Sequence, residues 1–320
     1  MKRKIIKLGQ ATYVMSLPSS WIRENKLGKG DYIDLQDEDG VLTLRLQQHQ
    51  RGQTLILDIS KLNDKLVKGY LEEAYALGYD TIELIHQAVL EPYSYHLKIK
   101  TRKKTTEFLQ EIVNQKFINM EIVEQSDKRT VIKDLGGGLN EEAAHNIFNR
   151  IMFLLSQQAQ ETFNALLKHD VEKLQALTPS SLNIRKFILY YSRMLSILPL
   201  PKIEVRVKTN IMNHFNTINS TYRSIIRLSL GEKEWGYSKN ALQVLKLITD
   251  QLQEMKAICL EFSQEKALHF LEQREKVWDE GYAQKGTVKD LALYWNFGAL
   301  MASSWFVVRE MYGLELGKLH

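Results

Sequence analysis

Lysine and arginine side chains are concentrated in the first thirty residues of the chain. Seven cations stand there against the single acid Glu24, and they are Lys2, Arg3, Lys4, Lys7, Arg23, Lys26 and Lys29. This segment has a net charge of +6, whereas the whole chain has +5, so the remainder sums to about −1. Clustered cations neutralise phosphates, so the pattern predicts a surface for a polyanion such as duplex DNA. The alternative is a solvated strand edge that its charges keep soluble.

Short strands and turns must position these cations. The predicted elements are strands at Lys2–Leu8 and Thr12–Leu17, a helix at Ser19–Asn25, and a hairpin of Tyr32–Gln36 and Val41–Leu46. Pro18 suits the start of the helix, because the first helical position needs no backbone N–H. A unit of this size builds little core of its own, so we expect it to pair with a second copy.

Several spaced motifs of this segment resemble the SpoVT–AbrB swapped-hairpin DNA-binding domain. They are Lys7-Leu8-Gly9, Tyr13–Pro18 followed by Trp21-Ile22, and Leu27-Gly28-Lys29-Gly30-Asp31. The resemblance assigns residues 1–50 to this domain and implies an interlocked homodimer. The DNA-contacting residues that it implies are Lys2, Arg3, Lys4, Lys7, Arg23 and Lys26. The loop Gly9–Thr12 carries no arginine, so the implied contacts are mainly to phosphates.

The hydrophobic pattern of the remaining chain changes at about residue 136, from alternating strands and helices to a continuous helical repeat. Residues 53–135 alternate strand and helix, with one helix at Asp64–Leu77 closed by Gly78, and the order β-α-β-β-α-β predicts a ferredoxin-like split βαβ domain. A strand is predicted at Tyr95–Ile99, and Gly136-Gly137-Gly138 predicts a flexible joint. The predicted fold class is therefore α+β, ending in an all-α domain.

Residues 139–320 follow the helical period and predict six helices. After a first helix that begins near Asn140, helices are expected at roughly 181–198, 203–230, 238–262, 264–283 and 287–312. Breaks are expected at Thr178-Pro179, Pro199–Pro201, Gly231 and Gly286. Six helices in two groups of three predict a tandem repeat of a three-helix unit.

Two further segments resemble the archaeal phosphate-uptake regulators, which join a SpoVT–AbrB-like domain to a PhoU-like helical region. They are Tyr75–Ile82, at a helix-to-strand step, and Met120–Lys128 with Thr130–Leu135, at a closing strand pair. The resemblance implies a cytoplasmic, homodimeric transcriptional regulator that binds double-stranded DNA and controls phosphate uptake. The alternative is a PhoU-type accessory protein that acts on a phosphate transporter or sensor without binding DNA.

The same resemblance raises the question of metal binding. PhoU-type repeats hold metal with carboxylates four residues apart on a helix. In the second repeat Glu272, Glu275 and Asp279 form an i, i+3, i+7 row, in which Glu275 and Asp279 have that spacing. The corresponding stretch of the first repeat, Leu177–Asn183, has no acid. A divalent or ferric ion on this row, in a metal-storing or metal-sensing bundle, is one interpretation. A solvated charged face without any cofactor is the other.

Other patterns exclude or limit further functions. The single cysteine, Cys259, excludes an internal disulfide and fits a reducing cytoplasm. The sequence has no P-loop, nucleophile elbow or dinucleotide fingerprint, so we expect no enzyme. Leu291–Val308 is free of charged residues and long enough for a short membrane span, yet its Asn296 and two serines favour a helix buried in a bundle. No membrane span is therefore expected.

A second basic cluster lies in the middle of the chain. Its members are Lys98, Lys100, Arg102, Lys103 and Lys104. It either extends a phosphate-binding track or only faces solvent.

Overall fold

The fold is α+β and divides into two compact units, Met1–His49 and Gln50–His320. The structure is a computed structural model. The structure describes residues 3–38, 40–46, 53–92, 102–137, 139–231, 236–282 and 288–317. Lys2 and the predicted strand Tyr95–Ile99 lie outside these ranges.

The N-terminal unit contains two hairpins and one short helix. Its elements are β1 (Ile5–Leu8), β2 (Thr12–Met15), α1 (Ser19–Glu24), β3 (Ile33–Glu38) and β4 (Val41–Leu46). In the first hairpin Lys7 pairs with Tyr13, and in the second Leu35 pairs with Leu44. The predicted strands and helix are confirmed with ends shifted by a few residues. Pro18 is the residue before the first turn of α1, in extended conformation.

The second unit begins with a four-stranded sheet. Its strands are β5 (Thr54–Asp58), β6 (Thr81–Ile85), β9 (Met120–Gln125) and β10 (Arg129–Asp134), in the order β5-β6-β10-β9. Two helices follow strands β5 and β8, namely α2 (Asp64–Ala76) and α3 (Thr105–Lys116), and a separate short ladder joins β7 (Val89–Leu90) to β8 (Lys103–Lys104). Asn63 caps α2 by accepting a hydrogen bond from Leu66 N at 3.0 Å.

The predicted split βαβ arrangement is wrong. β5 and β6 are hydrogen-bonded neighbours in parallel register, with Leu55 opposite Ile82 and Leu57 opposite Leu84. No strand therefore lies between them, as a ferredoxin-like layer would require. The order of elements along the chain is the same in both arrangements, so it does not determine which strands become neighbours.

The C-terminal part of this unit is a bundle of long helices. They are α4 (Glu141–Lys168), α5 (Val171–Ile197), α6 (Lys202–Gly231), α7 (Lys239–Leu260), α8 (Gln264–Tyr282) and α9 (Val288–Gly317). Within each predicted group of three, consecutive helices contact each other. Between the groups, α4 packs on α7 and α6 packs on α9, so each of these helices meets its counterpart in the other group.

The expected helix break at Thr178-Pro179 is wrong, because α5 runs through Pro179 from Val171 onward. Asp170 starts the helix by accepting a hydrogen bond from Lys173 N at 2.9 Å. Pro179 lies on the exposed face, while Leu177 and Ser181 on either side of it are buried. The apolar face therefore continues across the proline, and packing outweighs the backbone hydrogen bond that proline removes.

The sheet layer and the bundle form one body rather than two domains on a flexible joint. The Arg193 side chain of α5 is 1% exposed and lies 2.7 Å from the Asp134 carboxylate and 3.6 Å from that of Asp80. It also donates to the backbone oxygens of Tyr75 and Tyr79 at 2.9 and 3.0 Å. These contacts join β10 and the end of α2 to the bundle. The two predicted domains 53–135 and 139–320 therefore belong to one compact unit.

Helix α9 carries the uncharged stretch that the sequence singled out. Among the described helices it is the one long and apolar enough to cross a membrane, over Asp290–Leu316. Half of its most apolar 18-residue stretch is buried in the protein. It packs against α6 and α7 with Leu293, Leu300 and Val307 fully buried. A core helix and a membrane span share this length and composition. The expected absence of a membrane span stays a prediction.

A second ionic cluster, between α2, α3 and α5, gives a pH-dependent prediction. Glu72 lies 2.6 Å from Arg185 and 3.5 Å from Lys116, whose side chain is 8% exposed. Burial lowers the pKa of Lys116 to about 8 in the folded chain, against 10.5 when it is exposed. Because the unfolded chain then holds this proton more tightly, the free energy of unfolding rises with pH between about 8 and 10.5.

We therefore expect Lys116→Met to remove this pH dependence. The difference in unfolding free energy between wild type and variant should shift by on the order of 1 kcal/mol in favour of the wild type between pH 7 and pH 9. Urea unfolding at the two pH values measures it. A pH-independent difference would show that Lys116 stays charged in the fold.

Candidate nucleic-acid interface

The first hairpin places the cations of the N-terminal strand. Arg3 and Lys4 directly precede β1 and are exposed, and Lys7 is exposed within it. Because cross-strand partners and alternate residues share a face of a hairpin, Lys7 lies on the same face as Ile5, Tyr13 and Met15. A lysine on this face therefore stands among apolar side chains.

The end of helix α1 places the next two cations. Arg23 is in the last turn, and Lys26 follows in the left-handed region with φ of 53°. Lys26 N donates to Arg23 O at 3.1 Å and Leu27 N donates to Ile22 O at 3.0 Å, which closes the helix as a Schellman motif. Both cations are exposed at the same helix end. The turn thus fixes the backbone on which they stand.

Most of the described site cations are not neutralised by neighbours. Lys4, Lys7, Arg23 and Lys26 form no ion pair with any other described residue. The second basic cluster is different, because each of its described cations has an acid close by: Arg102 has Glu91 at 2.9 Å, Lys103 has Glu111 at 3.1 Å, and Lys104 has Glu107 at 3.9 Å. The structure therefore favours the interpretation that this cluster is a solvated face.

Large apolar side chains of the N-terminal unit are exposed. No described side chain in residues 3–46 is buried. The exposed set is Ile5, Ile6, Leu8, Tyr13, Val14, Met15, Tyr32, Leu35 and Leu42, of which Tyr32 is 81% and Ile5 71% exposed. Burying one such side chain fully is worth about 1.5–3 kcal/mol. The described side chains of this unit therefore form no buried core, and covering the nine exposed ones with another surface would supply one.

The structure brings the predicted cations together only in local groups. Lys7 lies in β1 and Lys4 directly before that strand, whereas Arg23 and Lys26 lie at the end of α1. Lys2 lies outside the described residues, so its part in the site stays a prediction. The exposed apolar set has a signal in the sequence, because β1 and β2 carry consecutive apolar residues, as at Ile5-Ile6 and Tyr13-Val14-Met15, and therefore have apolar side chains on both faces.

The carboxylate row of the second repeat lies on α8. Glu272, Glu275 and Asp279 are all exposed, and Glu272 has His269 Nδ1 at 4.0 Å. Within the described part of the chain, no group of three or more His, Cys, Asp or Glu side chains is arranged to hold a metal ion. The arrangement is that of a charged helix face, and a metal on this row stays a hypothesis.

Comparisons of the chain with models of known protein families, with curated proteins and with solved structures gave no match. The resemblance to SpoVT–AbrB and PhoU proteins therefore rests on the quoted motifs alone.

Proposed function

We propose that this chain is a homodimeric, DNA-binding transcriptional regulator. Its N-terminal unit would supply the DNA-contacting surface, and its second unit would receive the signal, which the resemblance to phosphate-uptake regulators makes phosphate supply. The observation that carries the proposal is the combination, in one small unit, of unpaired cations and an uncovered apolar surface.

Each half of this observation supports one part of the proposal. The apolar side chains need a covering surface, and a second copy of the same unit supplies one of matching size and chemistry. Pairing doubles the positive charge, and the exposed lysines and arginines at β1 and at the end of α1 then suit contacts with DNA phosphates. Such contacts position a protein on the duplex and give affinity that depends steeply on salt.

A regulator also needs a path from its signal to its DNA surface. A ligand or partner can change DNA affinity only by stabilising one arrangement of the dimer over another. The buried contacts of Arg193 and the cluster around Glu72 join the bundle to the sheet layer, so a rearrangement of the helices would also move the sheet. Seven residues separate β4 from β5 in the chain, so β5 is the first strand after the N-terminal unit in sequence.

The test is a DNA-shift titration with Lys4→Ala/Lys7→Ala across a range of salt concentrations. Four phosphate contacts per dimer are lost, so the slope of log affinity against log salt should fall by about 3 to 4 units. Affinity at 0.15 M salt should drop about tenfold or more, alike for different sequences, because phosphate contacts carry no sequence information.

The matched control is Lys103→Ala/Lys104→Ala, which removes the same charge from cations that already have acidic neighbours. It should leave the slope and the affinity unchanged. Equal effects of the two double variants would mean that only the overall charge matters, and an unchanged slope for the first would exclude β1 as the contact surface.

The accessory-protein alternative is favoured by one surface of α9. Trp295 is 86% exposed and Leu291 62%, one turn apart on the same helix face. Large apolar side chains at such positions suit a protein partner. Co-purification of the wild type and of Trp295→Ala with phosphate-transporter and sensor proteins tests it, and Leu268→Ala, at another exposed apolar position, is the control.

A further inference from the structure

The two edges of the sheet in the second unit differ. Strand β9 carries the exposed acids Glu121 and Glu124, and its ladder to β10 shifts register at Val131/Ile132. Charges and bulges of this kind prevent a further strand from adding to an edge. Strand β5 reads Thr-Leu-Ile-Leu-Asp, without lysine, proline or bulge, and among the described residues it pairs with β6 alone. Within the described ranges, no strand is therefore paired with its outer edge.

The hydrogen bonds to β6 show which backbone groups of β5 face that open edge. Gln53 O accepts from Thr81 N at 3.2 Å, and Ile59 N donates to Ile85 O at 2.8 Å. The N–H and C=O of one strand residue point to the same side, and the side alternates along the strand. Odd-numbered residues therefore face β6, whereas Thr54, Ile56 and Asp58 direct their backbone groups outward.

We propose that β5 pairs with the β5 strand of a second copy of this chain, antiparallel and around a two-fold axis at Ile56. Ile56 then exchanges both backbone hydrogen bonds with the partner's Ile56, and Thr54 does the same with the partner's Asp58. All outward-facing groups find partners, because positions 54, 56 and 58 map onto one another under this axis. The result is a continuous eight-stranded sheet across the dimer.

The side chains of β5 fit this pairing. Ile56 is 61% exposed and meets the partner's Ile56 on the open face of the sheet. Leu55 and Leu57 are partly buried on the helix-covered face. In the dimer Leu55 lies opposite the partner's Leu57, and Leu57 opposite the partner's Leu55. Thr54 lies beside the partner's Asp58, so a hydroxyl faces a carboxylate and no like charges stand opposite each other.

A second copy is the occupant because the edge is complementary to itself and carries no charge pattern for another partner. Eight residue steps separate Leu46 from Thr54, a span of at most about 27 Å. If the N-terminal units pair as proposed above, this tether holds the two β5 strands at high effective concentration. This gain in effective concentration is the one step that rests on the proposed function. A five-residue strand pair is small for an independent interface, so the two contacts act together.

Oxidative cross-linking of the full chain tests the axis. In a Cys259→Ala background, Ile56→Cys is compared with Ile85→Cys, which is also exposed on the open face but lies on the inner strand β6. Paired residues at position 56 have Cα atoms about 5.5 Å apart, within disulfide range. Residues at position 85 would be about 20 Å apart, because they are separated by three strand spacings and are also offset along the strands. We expect a disulfide-linked dimer from the first variant and none from the second.

Ile56→Pro gives the complementary test. Its lost N–H faces outward, so the β5–β6 ladder keeps its hydrogen bonds, and proline is tolerated on such an edge. The thermal midpoint measured at low concentration should be unchanged. The dimer dissociation constant, measured by sedimentation of the full chain, should rise about tenfold or more.

Separate outcomes identify which proposal fails. A chain that sediments as a dimer without a disulfide at position 56, a chain that stays monomeric, or an unchanged dissociation constant for Ile56→Pro each overturns the β5 pairing. A chain that cross-links at position 56 but shows no salt-dependent DNA binding supports the β5 pairing and overturns the proposed function.

Discussion

Replacing Arg193 by alanine should lower the free energy of unfolding by about 3–5 kcal/mol. The guanidinium is almost fully buried, and it neutralises Asp134 while satisfying the carbonyl oxygens of Tyr75 and Tyr79. Without it, the Asp134 carboxylate and the Tyr79 carbonyl lose a buried donor, and the Tyr75 carbonyl keeps only the bond from Gly78 N. Most of the cost comes from these stranded groups.

Two further arginine variants make this measurement specific. Arg129→Ala breaks pairs with Glu83 and Glu124 on the exposed face of the sheet and should cost less than about 1 kcal/mol. Arg193→Lys keeps the charge but loses the planar fork that reaches several acceptors, so its cost should fall between the two. Urea unfolding followed by tryptophan fluorescence and by circular dichroism measures all three.

The same experiment tests whether the sheet layer and the bundle unfold together. The wild type should show the same midpoint by both probes. In Arg193→Ala the two midpoints should differ, because a principal link between the layers is gone and none of the five tryptophans lies in residues 53–135, whereas α2 and α3 contribute to the circular dichroism. A loss below about 1 kcal/mol for Arg193→Ala would contradict the buried ion pair described here.

Gly78→Ala should be the second costly substitution, at about 2–3 kcal/mol. Gly78 follows α2 with φ of +93°, a conformation that costs an L-residue about 1–2 kcal/mol. An added Cβ would also lie 2.9 Å from Ile197 Cγ1 of α5, so the sheet layer and the bundle would have to separate slightly.

A control and a rescue accompany this prediction. Gly69→Ala, in the middle of the same helix with nothing within 4 Å of the new Cβ, should instead stabilise the protein by about 0.5–1 kcal/mol. Ile197→Ala in the Gly78→Ala background, which removes the Cγ1 atom that the added Cβ meets, should recover part of the loss, as measured by a double-mutant cycle of unfolding free energies. A purely additive cycle would assign the whole cost to the backbone.

These residues show what the sequence could predict and what it could not. Local signals predicted Gly78 as the end of α2 and Asn140 as the cap of α4, because caps act within a few residues. Pro179 misled the same approach, since its effect is local while the packing of Leu177 and Ser181 that overrides it comes from other helices. The adjacency of β5 and β6 and the role of Arg193 depend on contacts between residues far apart in the chain.

The candidate site divides in the same way. Counting charges predicted that the N-terminal cations form a surface, and the structure leaves Lys4, Lys7, Arg23 and Lys26 exposed. Composition also predicted the second basic cluster. It could not reveal that Arg102 and Lys103 have acidic partners, because the partner of Lys103, Glu111, lies on helix α3. The exposed apolar set depends on the burial of individual side chains, which composition does not determine.

The packing of α6 on α9 has a consequence for how the protein is made. The end of α6 and the end of α9 are 86 residues apart in the chain, so at about 5–20 residues per second a ribosome needs roughly 4–17 seconds to supply the second helix after the first. Throughout that interval the face of α6 that meets α9, which includes Val207, Asn210 and His214, is uncovered in the nascent chain. Efficient production in a heterologous host therefore depends on slowing aggregation during this interval, by lower temperature or by chaperones that bind exposed apolar helices.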